Sequence, residues 1–156
     1  MRRVSFLARA VIGFVLLAAA VAPTVATPVQ ASGTFARVTF HVARCPENTR
    51  DVFNTCHHRR VANFGIWGCN PAGFCKLKFT DSNGETFFGP RAGNNRFFVN
   101  DLNGFVGTRV YCSVKPFFPT GRVLIDRRDA DGNFTIVTRP GDVIICDLYL
   151  LTPVDL

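Results

Sequence analysis

The stretch FARVTFHVAR, residues 35–44, alternates apolar and polar side chains. Val38, Phe40 and Val42 fall on one face of an extended chain, whereas the residues between them are polar. Because successive side chains of a β-strand point to opposite faces, this pattern predicts a strand with one buried face. A helix would repeat its apolar residues every three or four positions, and no long stretch after residue 32 does so.

Similar β-favourable runs recur between glycine, asparagine and proline residues along the rest of the chain. They predict further strands within residues 60–67, 76–89, 96–102, 108–114, 122–128, 134–139 and 142–151. Short strands at this spacing, with almost no helix signal, are typical of an all-β protein. We therefore predict an antiparallel β-sandwich of about seven to nine strands, with a small closed barrel as the alternative.

Two glycine-containing turns predict hairpins within this set. Asn83-Gly84 interrupts the run 76–89, and Asp131-Gly132 separates 122–128 from 134–139. Glycine and asparagine tolerate the positive φ angles that a tight turn requires. The two turns share the sequence pattern Asp-x-Asn/Asp-Gly. We interpret this as the same turn chemistry used twice rather than as a gene repeat.

The N-terminal residues have the three-part layout of a secretory signal peptide. Arg2 and Arg3 provide a positive start, an apolar run follows over residues 10–22, and 29–31 fits a small-x-small cleavage site. The apolar run is shorter than the ~18–20 residues that span a bilayer. We therefore expect residues 1–31 to be cleaved and no stable membrane insertion afterwards. The expected product, residues 32–156, is a single domain that is secreted and optionally associated with the cell surface.

Cysteine usage favours a disulfide framework over a metal site. All six cysteines lie in the expected product: Cys45, Cys56, Cys69, Cys75, Cys112 and Cys146. An even number in a small exported protein is typical of disulfides, and no Cys-x-x-Cys pair supports zinc. Six cysteines allow 15 pairings. Cys112 and Cys146 both lie on the apolar faces of their predicted strands, so we predict a buried bridge between them.

The remaining cysteines suggest two small loops. Cys69 and Cys75 flank the turn-rich pentapeptide NPAGF, which leaves Cys45 to pair with Cys56. The second pairing bears on NTCHHRR, residues 54–60, which in isolation resembles a metal or nucleophile cluster. A disulfide removes the thiolate that either chemistry would need. We therefore interpret this stretch as a basic shoulder beside a disulfide.

Charge and motif content argue against nucleic-acid binding and catalysis. Three of the 18 basic residues lie in the expected leader, and the rest are spread along the chain, so no nucleic-acid footprint forms. The sequence has no Gly-x-Ser-x-Gly elbow and no glycine-rich phosphate loop. We predict no catalytic residues, no metal and no cofactor, and we rank a hydrolase or metal protein last.

Phenylalanine is the most unusual feature of the composition, with 16 in the chain. Adjacent pairs occur at 87–88, 97–98 and 117–118. On a strand one member of each pair should face the core and the other should not, and an exposed second ring would build a binding patch. The alternative is that a loop or a neighbouring strand covers it. The candidate binding residues are Phe88, Phe98, Phe117 and Phe118.

Several segments together resemble a known group of modules. They are VTFHVARCPENTRDVFNTC, FTDSNGETFF, GNNRFFVNDL, VYCSV and PGDVIICDLYLLTP. Their order is similar to that of the prealbumin-like, collagen-adhesin B-type modules of bacterial secreted and surface proteins, in a disulfide-containing form, and it spans most of residues 36–153. The resemblance implies an immunoglobulin-like β-sandwich that serves as a stalk, spacer or adhesive unit.

The chain departs from that group at the positions of its internal isopeptide bond. The first strand has His41 and Arg44 but no lysine, and Leu150 lies where the asparagine is expected. Asp101 alone lies near the acidic position. We therefore expect disulfides in place of an isopeptide bond. No LPxTG-type sorting signal is present either.

These observations predict a secreted, non-enzymatic β-sandwich with a structural, adhesive or binding role at the bacterial cell exterior. The expected partner is an extracellular protein or a glycan, and self-association is a further option. The alternative is a secreted effector or inhibitor that presents a disulfide-closed loop to a target protein. Its candidate loops are CNPAGFC and KPFFPTG, because a pre-ordered loop loses less entropy on binding.

Overall fold

The computed structural model describes residues 35–115, 122–129 and 131–154. The described residues form nine strands and one short helix. In chain order they are β1 Arg37–Pro46, α1 Val52–Cys56, β2 Gly65–Cys69, β3 Cys75–Phe79, β4 Glu85–Phe88, β5 Gly93–Val99, β6 Gly107–Val114, β7 Val123–Asp129, β8 Asn133–Thr138 and β9 Val143–Thr152. The prediction of an all-β protein is confirmed.

Two sheets form a sandwich. The five-stranded sheet has the order β4-β1-β9-β6-β7, and the four-stranded sheet has the order β3-β2-β5-β8. In the described part of the chain every strand pair is antiparallel except β1 with β9, which run parallel from Arg37 opposite Val143 to Pro46 opposite Thr152. The predicted antiparallel β-sandwich therefore holds, with one parallel pair added at its centre.

The alternation in residues 35–44 defines the core. Val38, Phe40 and Val42 are fully buried between the sheets. The ring of Phe40 lies 5.1 Å from that of Phe97 and 5.9 Å from that of Phe134, both on the opposite sheet. Burying each such side chain stabilises the fold by about 1.5–3 kcal/mol. The strand predicted from periodicity therefore supplies the middle of the interior.

The three disulfides join the cysteines as predicted. Cys112 and Cys146 lie directly opposite each other on β6 and β9 and point into the core. The Cys69–Cys75 bridge closes the turn between β2 and β3. The third bridge, between residues 45 and 56, fastens α1 to β1.

The predicted hairpin at Asn83-Gly84 is wrong. The turn exists, because the Asp81 carboxylate accepts hydrogen bonds from the backbone N–H groups of Asn83 and Glu85 at 2.9 Å. The strands on either side, however, belong to different sheets. At this crossover, the hydroxyl of buried Thr80 donates to the carbonyl of Val61 at 2.6 Å, which ties the chain to the segment before β2.

The predicted hairpin at Asp131-Gly132 is wrong for the same reason. The Asp129 carboxylate accepts from the N–H groups of Asp131 and Asn133 at 3.0 and 3.1 Å, yet β7 and β8 lie in opposite sheets. Gly84 and Gly132 both have positive φ angles, 71° and 63°. The two turns with the same sequence pattern therefore have the same structural role, since each carries the chain from one sheet to the other.

Helix α1 lies outside the sandwich and was not predicted. Its N-terminus is capped by Asp51, whose carboxylate accepts from the side chain and the backbone N–H of Asn54, and these bonds lower the pKa of Asp51. A helix of five residues is too short to show periodicity. It covers a second small core on the outer face of the five-stranded sheet, formed by Ala43, Cys45, Val52, Cys56, Tyr149 and Leu151. No helix among the described residues has the length and apolar character needed to cross a bilayer.

Candidate functional site

A groove of about 490 Å³ runs between α1 and the outer face of the five-stranded sheet. We name it the α1 groove. Its wall is formed by residues 50–53, and its floor by Arg109, Tyr111, Asp126, Asp147 and Tyr149 from β6, β7 and β9. Most of its surface is apolar. A concave apolar cleft with a few convergent polar groups is the usual form of a small-ligand site.

The wall is held in place from two sides. Val52 is buried against the sheet, and the Cys45–Cys56 bridge fixes the end of α1. Phe53 stays 56% exposed and stacks on His57, with ring centroids 5.5 Å apart and an interplanar angle of 17°. His57 of the NTCHHRR stretch therefore supports the wall of the α1 groove.

The floor belongs to a row of polar residues that crosses the whole sheet. Glu85, His41, Asp147, Tyr111 and Asp126 face one another in register, one from each of the five strands. Neighbouring strands in a sheet lie about 4.8 Å apart. The row therefore places acidic, imidazole and phenol groups side by side on one outer surface.

Each carboxylate of the groove already has a partner. Asp147 lies 3.2 Å from Nδ1 of His41, and the Nε2 of that histidine faces Glu85 at 3.4 Å. Asp126 pairs with Arg109 at 3.6 Å. The groove lining holds two arginines and three carboxylates, so its formal charges nearly cancel and it offers an anionic ligand no excess of positive charge.

Tyr149 is the groove residue whose buried polar atom lacks a partner in the described part of the chain. It is only 2% exposed, and its hydroxyl has no hydrogen-bond partner among the described residues. Burial raises the pKa of Tyr149 to about 12, and the charge of Asp147 adds to the increase, so the group remains a neutral phenol at physiological pH. A buried polar group without a partner is uncommon and costly. A ligand hydroxyl that reached this oxygen would supply the missing bond.

The structure corrects the prediction for Phe88. This ring is 6% exposed and lies in the core, whereas its neighbour Phe87 is 54% exposed. The reason is register, since Phe88 lies opposite Val38 on β1 and shares its inward face. The two rings do point to opposite faces as predicted, but the wrong member was assigned to the surface.

Phe98 lies far from that position in the fold, on the outer face of the four-stranded sheet. It is half-buried and stacks on Trp67, with centroids 6.1 Å apart and an interplanar angle of 16°. Trp67 in turn donates to the side chain of Asn100 at 2.9 Å. Phe117 and Phe118 lie outside the described residues. Phe88 and Phe98 therefore do not form one patch.

The groove residues were missed by sequence reasoning. Asp147 and Tyr149 alternate with the buried Cys146 and Leu148 on β9. Their outward direction could therefore have been predicted from the sequence. Their proximity to Tyr111 depends on the pairing of β6 with β9, which no local sequence pattern predicts. The overhanging wall depends on α1, which gave no periodic signal.

Comparisons with known proteins return no relative of this chain. No protein-family description, curated protein or solved structure matches it. The resemblance to prealbumin-like modules therefore stays a prediction.

Proposed function

We propose that the protein is an exported, non-catalytic binding module that holds a sugar ring of an extracellular glycan in the α1 groove. The observation that carries this proposal is the buried, unpartnered hydroxyl of Tyr149 at the floor of a concave, largely apolar groove. A ligand hydroxyl at that position would remove a standing cost of the free protein.

The chemistry of the groove favours a polyhydroxylated ring. Tyr111 and Phe53 offer aromatic surfaces against which the apolar face of a sugar can pack. Asp126 accepts hydrogen bonds and Arg109 donates them, so hydroxyls of either orientation find a partner. The pairing of these two charges with each other leaves little net charge to attract an ion.

The other aromatic surface is a weaker candidate for the same ligand. Trp67 and Phe98 stack on each other, so each ring covers one face of its neighbour. No described aromatic ring stacks on Tyr111 or Tyr149 in this way. In the groove, His57 covers one face of Phe53, so Tyr111 is the ring there that keeps both faces free of a stacked described aromatic.

Two features support the exported part of the proposal. The N-terminal sequence has the layout of a signal peptide, and all six cysteines are bonded. Disulfides persist in oxidising compartments and are rare in the cytosol. An extracellular glycan is a ligand that such a protein would meet.

The test is binding of the oxidised protein to a panel of immobilised oligosaccharides. We expect at least one neutral oligosaccharide to bind, and Tyr111→Ala and Phe53→Ala to weaken that binding about tenfold, which corresponds to about 1.4 kcal/mol. Phe79→Ala is the matched control, because Phe79 is equally exposed but lies on β3 of the other sheet. Binding that is weakened by Phe79→Ala and unaffected by Tyr111→Ala would contradict the proposal.

A further inference from the structure

A second groove lies at the opposite side of the sandwich and has a different chemistry. It has a volume of about 370 Å³ and lies where β3 and β4, the edge strands of the two sheets, approach each other. We name it the basic groove. The residues that matter for its chemistry are Phe35, Phe74, Lys76, Lys78, Arg91 and Asn95. Among the described residues, no carboxylate lines it.

The three cations of the basic groove are Lys76, Lys78 and Arg91. None of them forms an ion pair with a residue in the described part of the chain. Lys78 instead donates to the carbonyl of Phe87 at 2.6 Å and lies 4.3 Å from the centre of the Phe87 ring. Burial lowers the pKa of Lys78, and the charge of Lys76 lowers it further. A bound anion would reduce the electrostatic repulsion between these cations.

Asn95 supplies an independent indication of a ligand. It is fully buried, and its Nδ2 donates to the carbonyls of Arg91 and Gly93 at 2.8 and 3.1 Å and to the Thr138 hydroxyl at 2.9 Å. These three bonds fix the orientation of the amide. Its Oδ1 has no partner in the part of the chain that the structure describes. The groove therefore contains a fixed acceptor that a ligand hydroxyl can satisfy.

One wall of the basic groove is a rigid loop that presents an aromatic ring. The Cys69–Cys75 bridge closes the loop, and Asn70 Oδ1 accepts from the N–H groups of Ala72 and Phe74 at 3.0 and 3.1 Å. Phe74 nevertheless stays 77% exposed. Because the loop is already ordered, contact with this ring costs little additional entropy on binding.

We propose that the basic groove binds an acidic saccharide, that is, a sugar carrying a carboxylate or sulfate group. The anionic group lies among Lys76, Lys78 and Arg91, the ring packs against Phe74, and a hydroxyl donates to Asn95. A flat anionic bilayer would meet the cations but would not reach a buried acceptor inside a concave groove. This site is separate from the α1 groove and does not depend on the function proposed for it.

The experiment uses the oxidised protein and calorimetric titration with two defined probes. Trigalacturonate carries the carboxylates, and its methyl ester has the same sugar rings without the charges. We expect trigalacturonate to bind, the affinity to fall as salt is added, and the ester to bind at least tenfold more weakly. Phosphatidylglycerol vesicles form a third arm and are expected not to bind.

Variants localise the binding. Lys76→Gln combined with Lys78→Gln is expected to weaken trigalacturonate binding at least tenfold, and Phe74→Ala to weaken it several-fold. Lys115→Gln is the matched control, since this exposed lysine lies outside the groove. Tyr111→Ala should leave the binding unchanged, which separates this site from the α1 groove.

Three results would overturn the proposal. They are equal binding of the acid and its ester, unchanged binding by the double lysine variant, and binding to the vesicles in the absence of binding to trigalacturonate.

Discussion

Cys45 at the end of β1 is bonded to Cys56 at the end of α1, with their Cα atoms 5.4 Å apart. The ten residues between them form a flap that lies over the outer face of the five-stranded sheet and supplies the wall of the α1 groove. The bridge therefore links the redox state of the protein to the shape of its candidate binding site.

Removal of the Cys45–Cys56 bridge should leave the strands in place but abolish glycan binding. In the chain-entropy treatment, opening a loop of sequence separation 11 costs about 2–3 kcal/mol. We expect the Cys45→Ala, Cys56→Ala double variant to keep its strands, lose about that much free energy of unfolding, and lose glycan binding. Urea unfolding and the oligosaccharide panel measure the two effects. Full retention of binding would show that the flap is not part of the site.

Alkaline pH should destabilise the protein through Tyr149. Its pKa is raised from 10.0 to about 12 in the folded state, so the fold favours the neutral phenol. The stabilisation is fully present below pH 10 and is lost as the pH rises from about 10 to about 12, by at most about 2–3 kcal/mol. Urea unfolding at a series of pH values measures it. Tyr149→Phe should lack this component of the decline, and an identical decline in that variant would refute the assignment.

The two sheet-crossing turns should not tolerate a side chain at their glycines. A Cβ on Gly84 would lie 2.8 Å from the carbonyl oxygen of Val42, whereas Gly104, with φ of 82°, has no atom within 4 Å of the corresponding position. Gly104→Ala should cost about 1–2 kcal/mol for its positive φ alone. Gly84→Ala should cost at least about 1 kcal/mol more. Thermal or urea unfolding compares the two, and equal costs would contradict the close approach.

The strands and the Cys112–Cys146 bridge could be predicted because both follow from alternation, whereas the other two bridges were predicted from the short loops that they close. Burial of every second residue fixes the faces of β1 and β9, and Cys146 shares the inward face of its strand. The hairpins could not be predicted correctly, because the Asp81 turn has the same local hydrogen bonds whether the next strand joins the same sheet or the opposite one. The contacts that accompany the change of sheet join Gly84 to Val42 and Thr80 to Val61, and both partners lie elsewhere in the chain.

The candidate sites were harder to predict than the fold. Alternation places Phe87 and Phe88 on opposite faces but does not say which face is the core. Asp147 in the floor of the α1 groove contacts His41, 106 positions away, through the pairing of the first strand with the last. That pairing, and the flap above it, are tertiary features without a local signature in the sequence.

The central claim is that a ligand hydroxyl completes the hydrogen bonding of Tyr149 in the α1 groove. The most direct measurement compares wild type with Tyr149→Phe, using urea unfolding and titration with a neutral oligosaccharide that the wild type binds. Removing an unpartnered buried hydroxyl should leave stability at neutral pH unchanged or raise it by about 1 kcal/mol, while binding weakens about tenfold. A variant that binds the oligosaccharide as tightly as the wild type, or that loses stability, would contradict the account.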